Sequence, residues 1–247
     1  MNFTLVILTC VFFGSKLFAS SATTSVDVVV QATHKGFPPF SIEGEKENFS
    51  GIIPDILSLT LKNSSYSANA IYMPEKRMQF EIKRGNVDAV LSAIPWTKYP
   101  KNYVYSNPII TVRDVIFHHP SNPVNFSDLN HFVGESIGVV HGYTYDPTIE
   151  KLFAEKKISK IETRDEIALL NMIRHKRLKY ALITERVGWW IAKKRNWSTE
   201  LASSKNSIGE FEYRLLIHNK FKQLKNSFDK SLVKNSKGIQ KIISAYR

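Results

Sequence analysis

Apolar residues along this chain fall into two alternating rhythms. From Val26 the run VDVVVQAT is β-branched and closes on the turn HKGFPPF, which predicts a buried first strand. GIIPDILSLTLK follows, with Ile53, Ile56, Leu57 and Thr60 on one face of a helix. YSANAIYM then reads as a strand, EKRMQFEIKRG as a helix stopped by Gly85, and VDAVLSAI as a third strand. The alternation continues downstream. RDVIFHH and SIGVVHG are strands, YDPTIEKLFAEKK is a helix and ISKIET a strand. RDEIALLNMIRHKR is a helix carrying Ile167, Leu170 and Ile173, KYALIT a strand and ERVGWWIAKKR a helix. From Glu212 the chain ends as one strand and two amphipathic helices. Strands alternating with helices pair in parallel through crossovers, so the pattern predicts two α/β units in series. No linker, repeat or low-complexity block separates them, which favours two lobes joined by short crossings.

Composition narrows the function classes. The 247 residues are 43% apolar, and 34 Lys+Arg against 22 Asp+Glu leave a formal net charge of +12. Such a surplus favours anionic partners. Yet no block of like charges occurs, so a generally basic surface is the plain reading and no nucleic-acid partner is expected. The opening MNFTLVILTCVFFGSKLFASSA holds an apolar run from Phe3 to Phe13, the length of a secretion-signal core and short for a bilayer span. Residues 1–22 are read as a signal peptide, cleaved after Ala22 or after Ala19. The single cysteine, Cys10, lies inside it, so the exported chain would have no disulfide, thiol nucleophile or zinc ribbon. A periplasmic location is expected. Asn-x-Ser/Thr triplets at Asn2, Asn48, Asn63, Asn125 and Asn196 read as chance matches in so Asn- and Ser-rich a chain. His118 and His119 are adjacent on a strand and face opposite ways, a poor metal pair. With no Gly-x-Ser-x-Gly elbow or phosphate-binding glycine loop, catalysis, a metal and a cofactor are all not expected.

The order GFPPF, FSGIIPDIL, RMQFEIKRGNVDAV, YVYSNPI, IGVVHGYTYDPTIEKLF, LLNMIRHKRLKYALI and IISAYR resembles the bacterial extracellular solute-binding proteins of family 3, the binding components of polar amino-acid ABC transporters. The similarity runs from about Val28 to Arg247. It implies an α/β, two-lobed, type 2 periplasmic-binding-protein (Venus-flytrap) fold, each lobe a mixed, mostly parallel sheet flanked by helices. Lobe 1 would comprise residues 26–111 and 211–247, and lobe 2 residues 112–210. The hinge would lie near Ile110–Arg113 and Ile208–Phe211. A small polar solute, amino-acid-like or anionic, would sit in the cleft and close it. The partner would be an inner-membrane ABC permease or, alternatively, a membrane receptor that senses occupancy, and the protein would act as a monomer. A dehydratase-like enzyme on the same fold is a weaker alternative.

The resemblance also nominates a site. Phe37 falls where the family places a ring over the ligand side chain, and Ser92 keeps the polar start of the loop after the third strand. The family's carboxylate-gripping arginine is missing there: its position falls on Tyr99 or Pro100, and Lys98 or Lys101 offers only a flexible point charge. Trp96 is either a cleft wall or a packing residue. Arg77, at the start of a helix, is the alternative anion grip, or else a surface arginine. Tyr143 and Thr144 match the loop that offers hydroxyl and amide donors to a ligand carboxylate, with Tyr145 stacking or packing. The family's acid for an α-amino group falls on Thr184, with Glu185 one place on.

Overall fold

A computed structural model describes residues 23–31, 37–44, 49–62, 64–97 and 100–246. The signal segment read over residues 1–22, and Lys98, lie outside them. The first half begins with β1 (Thr24–Gln31), a small hairpin of β2 (Ile42–Glu43) and β3 (Phe49–Ser50), and α1 (Ile52–Leu61). It continues through β4 (Tyr66–Tyr72), α2 (Glu75–Arg84), β5 (Ala89–Ser92) and β6 (Tyr103–Tyr105). β7 (Ile110–His118) leads into the second half: β8 (Ser136–Val140), α3 (Pro147–Ala154), β9 (Ser159–Thr163), α4 (Glu166–Arg174), β10 (Tyr180–Thr184) and α5 (Glu185–Lys194). β11 (Ala202–His218) returns to the first half, and α6 (Lys222–Lys234) and α7 (Ser236–Ala245) close the chain.

Among the described residues the main sheet runs β4-β1-β5-β11-β7-β10-β8-β9, with β6 also on β11. β4, β1 and β5 pair in parallel on one side, and β10, β8 and β9 on the other. Between these parallel groups stand the antiparallel β7 and β11. The crossover rule therefore holds within each half, and two long strands join the halves.

β1 shows why the strands read as unbroken apolar runs. Val26 and Val28 join one core cluster while Val29 joins another on the opposite face, so both faces are covered. The larger cluster is continuous from Ile52, Ile56 and Phe228 to Phe117, Leu170 and Val187, which ties the two halves into one packed body. α1 lies against β4, α6 and α7. Its fixing point is Tyr246, whose hydroxyl donates to Asp55 Oδ2 at 2.7 Å and accepts from the Gly51 N–H at 3.1 Å. Tyr246→Phe removes both bonds with little loss of apolar area. It is expected to cost about 1–2 kcal/mol, read as a lower urea midpoint at unchanged slope.

The largest departure from the sequence pattern is β11. A strand was expected only from Glu212, but pairing with β7 begins at Ala202. Polar ASSKNS and Gly209 hide it, and the register shifts between Ser203 and Ser207 and again between Ser207 and Gly209 break the alternation a strand would show. Arg113 of β7 braces this irregular stretch. Its guanidinium donates to Glu185 Oε2 (2.9 Å), Glu210 Oε1 (3.2 Å) and the Lys205 carbonyl (2.7 Å).

Candidate functional site

A cavity of about 340 Å³ opens where the two halves meet. Each wall has a local cause. On the first half, the turn after β1 packs Phe37 on the fully buried Phe40, ring centroids 5.6 Å apart. β5 ends at Ser92 and the chain turns through a short 3-10 segment over Ile94–Trp96. That turn sets Trp96 against Phe211 (5.1 Å) and Tyr213 (5.5 Å) of β11. Trp96 Nε1 is buried there with no hydrogen-bond partner among the described residues.

On the second half, β8 runs into Gly142, whose φ of +81° suits glycine, and the chain then presents Tyr143, Thr144 and Tyr145. Asp146 stops the loop by accepting the Thr148 N–H at 2.8 Å, and Pro147 starts α3. Tyr145 is core: it is 4% exposed and its hydroxyl accepts the Val140 N–H at 2.8 Å. Tyr143 remains half-buried, edge-on to Phe37, so ring contact bridges the two halves at 6.2 Å.

Two carboxyl groups line this cavity, and neither was singled out in the sequence. Asp114, 6% exposed, stands on β7 opposite Thr184 of β10 and Gly209 of β11. The Thr184 hydroxyl donates to its Oδ1 at 2.7 Å. Burial pushes the Asp114 carboxyl up from 3.8 to about 6; the Thr184 bond opposes the shift and nearby Asp146 adds to it. Glu166 opens α4 behind the Asp165 cap and accepts the Tyr143 hydroxyl at 2.8 Å. Helix starts ordinarily favour a charged acid. Here burial outweighs the bonds from its own N–H and from Tyr143, and the Glu166 carboxyl also titrates above its usual range. Tyr143, Tyr145 and Tyr213 are all raised, burial first, with these carboxylates adding to it.

Of the expected residues, Phe37, Ser92, Trp96, Tyr143, Thr144 and Thr184 line this one cavity. Arg77 does not. Its side chain is 69% exposed and sits 3.8 Å from Glu81, one helical turn on, whereas Met78, Gln79 and Phe80 of the same helix line the cavity. The helix presents its next residues inward and turns Arg77 to solvent. Lys101 is exposed and Glu185 is occupied by Arg113. The Thr184 hydroxyl is itself engaged with an acid, so a carboxylate does stand at this point, carried by the neighbouring strand. Asp114 had a sequence signal: it is the one acid of β7, set beside Arg113 and directly before the apolar run Val115–Phe117. Glu166 had none, because an acid after Asp165 is what any helix start shows.

Among the described residues no group of three His, Cys, Asp or Glu is placed to hold a metal, and no helix is long and apolar enough to cross a membrane.

No family model matches the sequence, and no curated protein matches it. Solved structures do. An ancestral arginine-binding protein bound to arginine is 16% identical, with a TM-score of 0.71 over 91% of this chain and 99% of that one. A histidine kinase sensor domain with similarity to periplasmic binding proteins is 16% identical, with a TM-score of 0.70 over 91% and 95%. The GluR0 ligand-binding core in complex with L-glutamate is 14% identical, with a TM-score of 0.72 over 92% and 99%. At such identities the likeness is one of fold. The chain has the α/β, two-lobed, type 2 periplasmic-binding-protein architecture, the Venus flytrap.

Proposed function

We propose that this protein is a periplasmic solute-binding protein that captures a small polar guest between two lobes and hands it to an inner-membrane ABC permease. Lobe 1 is residues 26–111 with 211–247, lobe 2 is residues 112–210, and β7 and β11 form the hinge. The observation that carries the reading is the cavity between the halves, walled from both sides by rings, hydroxyls and carboxyl groups. Its volume is at the low end for small-molecule sites, and walls from two lobes let one guest favour the closed form. Catalysis is not part of the proposal.

A second reading is supported by the fold it shares with a histidine kinase sensor domain: occupancy is reported to a membrane receptor. Deleting the gene separates the two. Transport predicts lost uptake of the guest, and sensing predicts lost response with uptake intact.

Binding itself is tested by thermal denaturation of the exported chain against amino acids, amines, organic acids and sugars. A guest present at a hundredfold excess over its Kd should stabilise the protein by about 2.7 kcal/mol. Indifference to every class would overturn the reading.

A further inference from the structure

We propose that the cavity between the halves takes an organic cation, a small amine without a carboxylate, gripped by Asp114 and Glu166 between the rings of Phe37, Trp96, Tyr143 and Tyr213. This deepens the solute-binding reading and rests on it.

The protein as a whole is strongly basic, yet its cavity is not. Two carboxyl groups line it against one described cation, Lys83, which is exposed on α2. The ion pairs among the described residues include neither Asp114 nor Glu166. The described residues that face them are neutral or acidic. Asp114 has the Thr184 hydroxyl from β10, with Asp146 from the loop before α3, and Tyr145 and Tyr213 near enough to feel its charge. Glu166 has its own N–H, the Tyr143 hydroxyl and the adjacent Asp165. Asp114 Oδ2 has no hydrogen-bond partner among the described residues, and the only bond to this side chain is the one on Oδ1.

Withdrawing a carboxylate from water is unfavourable unless a cation is supplied. Among the described residues neither lobe supplies one, so a cationic guest gains what they lack. Ring-lined walls add to the attraction, since the face of an aromatic ring is electronegative. The same arrangement works against a ligand carboxylate, which would meet two acids and, among the described residues, no guanidinium. The site thus separates an amine from the amino acid that carries the same cationic end.

Calorimetric titration of the exported chain at neutral pH with two matched pairs tests this. Cadaverine against lysine, and agmatine against arginine, each differ by one carboxylate. The decarboxylated member is expected to bind at least tenfold more tightly in at least one pair. Asp114→Asn and Glu166→Gln should each weaken that amine tenfold or more while leaving the far-ultraviolet spectrum and cooperative unfolding intact. Equal affinities, or tighter binding of lysine and arginine, would overturn the cation assignment while leaving solute binding in place. Binding of none of the four, with an acid or sugar stabilising the protein instead, would do the same. Binding of nothing in any class would overturn both readings. The matched pairs are read on the unaltered protein, so a variant that fails to fold does not spoil the test.

Discussion

Asp114→Asn is expected to stabilise the ligand-free protein by about 3 kcal/mol at neutral pH and by almost nothing in acid. The carboxyl titrates at about 6 in the folded chain, against 3.8 for the free group. Between those values the folded protein holds a proton that the unfolded chain has released. Its contribution to stability therefore falls as pH rises through that window and is fully unfavourable above it. A displacement of about two pH units corresponds to about 3 kcal/mol. Asparagine keeps the shape and the Thr184 contact but never ionises. Glu166 bends the wild-type curve in the same direction, so the quantity to measure is the difference between wild type and variant in urea midpoint from about pH 4 to pH 8. A difference flat with pH would show that Asp114 is not strained by its charge. A bound amine removes the penalty by neutralising the group, so amine affinity should rise over the same window.

Gly188→Ala carries the second large effect, and two opposing terms decide its sign. Gly188 lies inside α5, where alanine would ordinarily gain up to about 1 kcal/mol in helix propensity. A Cβ there would sit 2.3 Å from the tip of the Phe117 ring and 2.5 Å from its edge. Phe117 is fully buried on β7 and is held by Trp189 at 5.4 Å, so the ring has nowhere to go. Overpacking of this kind costs about 1–3 kcal/mol or more, and the net expectation is a loss of about 2 kcal/mol, rising for Gly188→Val. The double variant Gly188→Ala with Phe117→Leu makes room for the methyl group. It should lose at least about 1 kcal/mol less than the sum of the single changes in a urea double-mutant cycle. Strict additivity would mean that α5 and β7 do not press on each other as described.

How much of this was legible in the sequence depends on how each element is buried. β1, β5, β8 and β10 stood out because strands covered on both faces are near-continuous apolar runs rich in Val, Ile and Leu. α2 was marked by its amphipathic spacing and by Gly85, which caps it in the left-handed conformation at φ +71°. The first ten residues of β11 were invisible, since bulges and polar side chains erase any period of two. The β2–β3 hairpin, two residues a side, is too short to carry a pattern. The ring and hydroxyl residues of the cavity wall were nominated by the family resemblance, and the structure shows that Phe37, Ser92, Trp96, Tyr143, Thr144 and Thr184 line one cavity. The acids were missed because only folding brings them together: Asp114 and Glu166 are fifty-two positions apart, and the structure brings both to one cavity. Arg77 shows the converse. An arginine at a helix start is a reasonable anion grip until the helix phase turns it outward.

The place of β11 between β5 and β7 also sets the order in which the protein can be completed during synthesis. Residues 214–217 lie against Ser92 to Ala89, so the amino-terminal sheet lacks an inner strand until more than a hundred further residues have been made. Until then β5 presents an open hydrogen-bonding edge, the feature that invites pairing with the wrong neighbour. A nascent or truncated product ending before residue 214 would carry that edge permanently, and it is the species that chaperones would have to guard.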